Sequence, residues 1–133
     1  MTPIIGSCLC NKVTYTLKNG IEEIVHCHCQ TCRKAHAAAF SSVAKIMDED
    51  FEINSGTELL KSYESSPGKQ RYFCSNCGSQ IYAKKSGTPH LVLRMGTVDT
   101  DQTIPERCHI WLSDKASWYQ LNSDIPCYDE FEQ

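Results

Sequence analysis

Hydrophobic and polar residues alternate along most of this chain with the period of two that is typical of β-strands. The clearest example runs from Lys12 to Lys18, where Val13, Tyr15 and Leu17 share one face. Similar strand patterns cover residues 24–29, 41–46, 51–55, 59–65, 71–73, 80–84 and 91–95. The pattern predicts a mainly β protein, with short and mostly antiparallel strands in a folded-over sheet or a small sandwich.

Turn-forming segments separate the predicted strands. An acidic turn occupies residues 48–50, and turns rich in glycine, proline and serine occupy residues 66–68 and 86–89. The alanine content of residues 31–39 predicts one short helix. Residues 124–133 are acidic, and we expect them to pack loosely.

Composition and charge narrow the class of protein. Of the 133 residues, 41% are hydrophobic and 22% are charged, which predicts a single globular domain over residues 1–133. The first six residues lack a basic n-region and a long apolar h-region, so we expect a cytoplasmic protein. No apolar run has the length of a membrane span. The net charge of −3 and the lack of a basic cluster argue against nucleic-acid binding.

Nine cysteines add chemistry to this picture, because seven of them stand in three tight groups. The N-terminal pair is Cys8 and Cys10, the middle trio is Cys27, Cys29 and Cys32, and the late pair is Cys74 and Cys77. Thiols at these spacings chelate zinc well. The odd count argues against a complete disulfide framework, and a reducing compartment would leave the thiols available for metal.

The spacing allows two ways of sharing zinc ions. In the first, the N-terminal and late pairs form a four-thiolate site that closes a long loop, with Gly78 supplying a turn at positive φ. The middle trio then holds a second zinc, whose fourth position stays open for chemistry. In the second, Cys29 and Cys32 combine with the late pair in one zinc ribbon, and the other three thiols are left over.

The order of the groups resembles the glutathione-dependent formaldehyde-activating enzyme family, whose domain centromere protein V shares. The matching motifs are C-x-C at Cys8, C-H-C-x-x-C-R from Cys27 to Arg33, and R-x-F-C-x-x-C-G from Arg71 to Gly78. The turn at residues 66–68 and the segment at 109–111 also match. The resemblance covers a core of about residues 6–118 and leaves a tail at 119–133.

This resemblance implies a β-tent fold, in which Cys8, Cys10, Cys74 and Cys77 bind a structural zinc and Cys27, Cys29 and Cys32 a catalytic zinc. It also implies condensation of glutathione with formaldehyde or a related small aldehyde to S-hydroxymethylglutathione, the reverse of a carbon–sulfur lyase reaction. A substrate thiol would bind zinc as a thiolate and attack the aldehyde carbonyl. The competing hypothesis is a non-catalytic binding module, which needs only the four-thiolate zinc.

Two positions depart from the family pattern. Asn11 stands where the family usually has glycine, and asparagine is the next most tolerant residue of positive φ. His36 stands in a stretch that is usually smaller, so it would narrow a pocket there or add a base. The departures put the identity of the substrate in question more than the fold.

Four residues close to these motifs have two interpretations. His109 is a candidate to lie near the open zinc position, although a packed histidine is the simpler interpretation. Arg33 is a candidate to bind a substrate carboxylate, although it could equally be a solvated surface arginine. His26 and His28 alternate away from the cysteine face, so we expect them around the metal ligands or on the surface.

The remaining cysteines and aromatic residues carry weaker signals. Cys108 and Cys127 have no partner at chelating spacing, so we expect buried thiols at both positions. We expect core packing, rather than contact with substrate, for four aromatic residues: Phe40, Trp111, Trp118 and Tyr119.

Overall fold

A computed structural model describes residues 3–131 as two open β-sheets and one short helix. The strands are β1 Ile4–Ser7, β2 Thr14–Leu17, β3 Ile24–Cys27, β4 Ser41–Met47, β5 Phe51–Ser55, β6 Leu60–Ser66, β7 Lys69–Cys74, β8 Gln80–Lys85, β9 His90–Arg94 and β10 Glu106–Ile110. The helix, α1, is Gln30–His36. Short 3-10 turns occupy Asp48–Asp50, Thr57–Leu59, Met95–Thr97 and Leu112–Asp114.

The two sheets differ in size. The small sheet has the order β1-β2-β5, and the large sheet has the order β10-β3-β4-β9-β8-β7-β6. Neighbouring strands are antiparallel except β3 and β10, which run parallel. The prediction of a mainly β, tent-like fold of antiparallel sheets with a short helix is therefore confirmed. The described residues contain no helix with the length and apolar character needed to span a membrane.

The hydrophobic core lies between the two sheets. Val13, Tyr15 and Leu17 are fully buried, as the alternation of residues 12–18 predicts. Leu91 and Leu93 of β9 come from the large sheet and join the same cluster. The period-two pattern therefore identified the core face of these strands correctly.

The opposite face of the large sheet carries polar chemistry. Residues paired across neighbouring strands share a face. Cys27 pairs with Ser41, and Arg94 pairs with Val43 two residues further along the same strand. Ala83 of β8 pairs with Arg71 of β7 on one side and with a residue of β9 on the other. That residue of β9 lies on the same face of the sheet as Arg94. The strand register therefore brings a cysteine and two arginines to one surface.

Three parts of the fold differ from the sequence expectation. Strands β1 and β10 were not predicted, because neither has a clean alternation over its length. The helix ends at His36 rather than at residue 39, since Ala37 takes a left-handed conformation (φ 51°) and its N–H bonds the carbonyl of Arg33. The tail is not loose throughout: residues 126–130 make backbone hydrogen bonds to residues 109–113. Residues 132 and 133 lie outside the described range.

Candidate metal centres and the adjoining cavity

Four thiols from distant parts of the chain meet at one end of the core. The sulfurs of the N-terminal and late pairs all lie within 4.8 Å of one another. The Sγ atom of Cys10 is 3.6 Å from that of Cys8 and 3.9 Å from that of Cys74. Cys8 and Cys74 are buried, and the backbone N–H of Val13 donates to the sulfur of Cys8 at 3.3 Å. Four convergent thiols are the donor set of a tetrahedral zinc site, so these residues fit a zinc ion.

Tight turns hold both pairs in place. After the N-terminal pair, Asn11 has φ 69° and its N–H bonds the carbonyl of Cys8 at 3.0 Å. After the late pair, Gly78 has φ 83° and its N–H bonds the carbonyl of Cys74 at 2.7 Å. The positive φ expected at each position is confirmed.

The middle trio forms a second group on the polar face of the large sheet. Cys27 ends β3, Cys29 is the N-cap residue of α1, and Cys32 lies in the first turn of that helix. Their sulfurs lie within 4.8 Å of one another, and the N–H of Cys32 donates to the sulfur of Cys29 at 3.3 Å. The seven thiols are thus grouped four and three, and the zinc-ribbon alternative does not match the geometry. Three thiols also fit zinc, with one coordination position left to another ligand.

A cavity of about 460 Å³ adjoins the middle trio. We call it the three-cysteine cavity; besides the trio, its walls include Lys69, Arg71, Arg94, Ile110, Trp111 and Phe131. Arg71 and Arg94 are only 5% and 4% exposed. Arg71 donates through Nε to Ser65 Oγ at 2.9 Å and through Nη2 to the sulfur of Cys32 at 3.9 Å. One wall of the cavity is therefore cationic and another is apolar.

The side chains that line this cavity include three cations, Lys69, Arg71 and Arg94, against one carboxylate, Asp114, so the balance of charge favours anions. Hydrogen bonds from Cys27 and Cys29, together with the charge of Arg71, lower the pKa of Cys32 against the effect of burial. Burial, and after it the charge of Arg71, lowers the pKa of Arg94 to about 10. The same two causes lower the pKa of Lys69. Crowded cations of this kind are stabilised by thiolates and by anionic ligands.

Three histidines, His26, His28 and His109, form a separate cluster beside the parallel pair of strands β3 and β10. His28 Nε2 lies 2.8 Å from His109 Nδ1, and His26 Nε2 lies 2.5 Å from Glu106 Oε1. The ring of Phe40 packs on all three imidazoles. All three histidines are buried, so the surface alternative for His26 and His28 is wrong. His109 packs in this cluster and is not among the residues that line the three-cysteine cavity.

Other candidates from the sequence fall in different places. Arg33 is half-buried on α1 and does not line the three-cysteine cavity, whereas His36 lines a neighbouring cavity. Cys108 is buried as expected, but Cys127 is exposed, which corrects that expectation. Trp118 is 70% exposed rather than in the core.

Sequence reasoning missed part of the cavity wall. Trp111 was expected in the core, but it lines the three-cysteine cavity. Arg94 was missed, although a charged residue that ends an otherwise apolar strand is a detectable signal. Arg71 belongs to the motif R-x-F-C-x-x-C-G, but the sequence alone assigns it no role. The cationic wall therefore became visible only from the strand register.

Together, the two open sheets and the two thiol groups define a small β protein with two candidate metal centres. Residues 3–114 match the family model "Glutathione-dependent formaldehyde-activating enzyme", and the chain belongs to this family. A crystal structure of a Rhodobacter sphaeroides protein superimposes with a TM-score of 0.61 and 21% identity, over 77% of this chain and 98% of that chain. The superposition confirms the fold.

Relatives in bacteria and fungi carry names that agree with the family. A Halomonas elongata protein is 29% identical over 127 residues, which are 89% of this chain and 80% of that protein. An Aspergillus flavus protein is 27% identical over 117 residues, 85% of this chain and 54% of its own length. Both are provisionally named glutathione-dependent formaldehyde-activating enzymes. An uncharacterized lyase of Schizosaccharomyces pombe is 35% identical over 79 residues, 58% of this chain and 54% of that protein. The chain thus spans about half the length of these fungal relatives.

Proposed function

We propose that this protein catalyses the reversible addition of glutathione, or a similar thiol, to formaldehyde or a related small aldehyde. The observation that carries the proposal is the middle trio, three thiols beside a cavity with a buried cationic wall. In the synthetic direction the S–H proton leaves the thiol, a carbon–sulfur bond forms, and the carbonyl oxygen takes up a proton. The reverse direction is a carbon–sulfur lyase reaction, and neither direction needs an oxidant or a reductant.

The residues of the cavity have distinct roles in this proposal. Cys27, Cys29 and Cys32 would hold a zinc ion, which lowers the pKa of a thiol bound to it. Arg71 contacts Cys32 and offsets the negative charge of the thiolates. The apolar side chains of Trp111 and Phe131 line the same cavity and offer a nonpolar surface to the carbon atoms of a substrate. The N-terminal and late pairs would hold a second zinc with a structural role.

Exchange spectroscopy by NMR tests the proposal. Glutathione and formaldehyde form a thiohemiacetal spontaneously, and we expect the zinc-loaded protein to accelerate this exchange. Cys29→Ser removes one thiol of the trio and should lower the acceleration by about a hundredfold or more. Cys127→Ser, at an exposed thiol outside both groups, is the matched control and should exchange as the wild type does. If Cys29→Ser is folded and exchanges as fast as the wild type, the catalytic proposal fails and a binding module remains.

A further inference from the structure

A second cavity lies beside the three-cysteine cavity, at the C-terminal end of α1. It has a volume of about 590 Å³, and its walls include His36, Ser41, Gln80, Arg94, Gly96 and Thr97. We call it the helix-end cavity. Ser41 and Arg94 line both cavities, so the two share a wall. The proposed function does not use this second space.

Several side chains around the helix-end cavity bury polar atoms without a hydrogen-bond partner among residues 3–131. These atoms are Nε2 of His36, Oγ of Ser41, Oε1 of Gln80, and Nε and Nη2 of Arg94. Buried polar groups in proteins are nearly always paired, so each exception calls for an explanation such as a bound ligand or ion. Donors and an acceptor around one cavity suit a ligand that carries a carboxylate next to another polar group.

The charge of the helix-end cavity points to the same class of ligand. The described residues that line it include Arg94 but no Asp or Glu. A guanidinium that is only 4% exposed is costly to bury without an anionic partner. The thiols of the middle trio lie near Arg94 in the three-cysteine cavity, whereas no acidic side chain lines the helix-end cavity, whose wall Arg94 also forms. A carboxylate there would complete its pairing.

We propose that the helix-end cavity is the subsite for the carboxylate-bearing end of the thiol substrate, with Arg94 as the anion-binding residue. His36 and Gln80 bind the polar groups next to that carboxylate. This inference rests on the proposed function, because it assumes that the thiol itself lies in the three-cysteine cavity. A peptide thiol such as glutathione carries a carboxylate at each end and suits two adjoining cavities better than a compact thiol does.

Binding of S-methylglutathione tests the subsite without any reaction, because this probe has no free thiol. Added to the zinc-loaded protein, it should shift the NMR signals of the Gln80 side-chain amide and of Thr97. Gln80→Met and His36→Phe alter only the helix-end cavity and should each weaken binding about fivefold. Gln102→Met, at an exposed position, is the control and should bind as the wild type does. Shifts confined to the three-cysteine cavity, or unchanged affinity in both cavity variants, would overturn the proposal.

Kinetics separate this inference from the proposed function. The two cavity variants should raise KM for glutathione about fivefold, with little change in kcat, and leave KM for 2-mercaptoethanol unaltered. An equal rise in KM for both thiols would indicate a general disturbance and would refute the subsite. If the wild-type protein accelerates the addition of neither thiol, the proposed function fails, and the binding of S-methylglutathione still decides the subsite.

Discussion

Arg71 shows how a single residue shapes the three-cysteine cavity. It reaches the cavity from β7, hydrogen-bonds Ser65 and points one nitrogen at the sulfur of Cys32. Three thiolates around a divalent ion carry a net negative charge, and a buried guanidinium nearby offsets it. We therefore propose that Arg71 would balance the charge of a metal ion bound by the middle trio.

Replacement of Arg71 should weaken zinc binding at the middle trio. We expect Arg71→Met to lower the zinc affinity of that site about tenfold, because it removes the neighbouring charge. Competition with a chromogenic chelator measures this affinity. Arg71→Lys should recover part of it by keeping the charge, and Lys61→Met, at an exposed site on β6, should lose none. Equal zinc retention in Arg71→Met and the wild type would rule out the charge-balancing role.

The sequence predicted those site residues whose partners lie only a few positions away along the chain. The cysteines of each group are separated by only one or two residues, so the middle trio could be recognised before the fold was known. Lys69, Arg71 and Arg94 come from two strands, and only the register of the large sheet brings them to the trio. His109 was a reasonable candidate by sequence, but the parallel pairing of β10 with β3 places it opposite His26 instead.

Strand β1 depends on a very close approach to β2. Gly6 of β1 pairs with Tyr15, whose hydroxyl lies 2.7 Å from Thr97 Oγ1. A Cβ atom at position 6 would overlap the Tyr15 ring and lie 2.7 Å from the carbonyl oxygen of Thr97. Both neighbours belong to packed structure, so glycine is required here for space rather than for backbone conformation.

Gly6→Ala should therefore destabilise the domain. We expect the free energy of unfolding to fall by about 1–3 kcal/mol, because the added methyl group forces β1 or Tyr15 to move. Urea denaturation of the zinc-loaded protein measures the change. Gly96→Ala is the matched control, because a Cβ there meets no atom within 4 Å. Similar stability in the two variants would show that β1 accommodates the methyl group.

The edge elements β1 and β10 also explain what the sequence could not predict about the fold. In β1, Ile4 is buried and the adjacent Ile5 is exposed, so two neighbouring isoleucines hide the alternation. In β10, a register shift between Glu106 and Cys108 interrupts the period of two. Long central strands such as β4 show a clear alternation of buried and exposed residues, because the strands on both sides fix the same register.

The four-thiol site joins the two sheets. The N-terminal pair lies in the connection between β1 and β2 of the small sheet, and the late pair lies where β7 turns into β8 of the large sheet. A metal ion there would act as a crosslink between Cys10 and Cys74, which are 64 residues apart. The middle trio, in contrast, lies within one short segment and closes no long loop.

This difference predicts opposite consequences for two cysteine substitutions. If the four-thiol site holds a structural zinc, Cys74→Ser should weaken its binding and lower Tm by more than about 10 °C, since structural zinc contributes much of the folding energy of small domains. Cys32→Ser should change Tm by only a few degrees, about the effect of one ordinary substitution. Zinc analysis should give two ions per chain in the wild type and one in Cys32→Ser. Cys127→Ser, which removes a thiol outside both groups, is the control. Equal destabilisation by Cys74→Ser and Cys32→Ser would contradict the separate roles of the two groups.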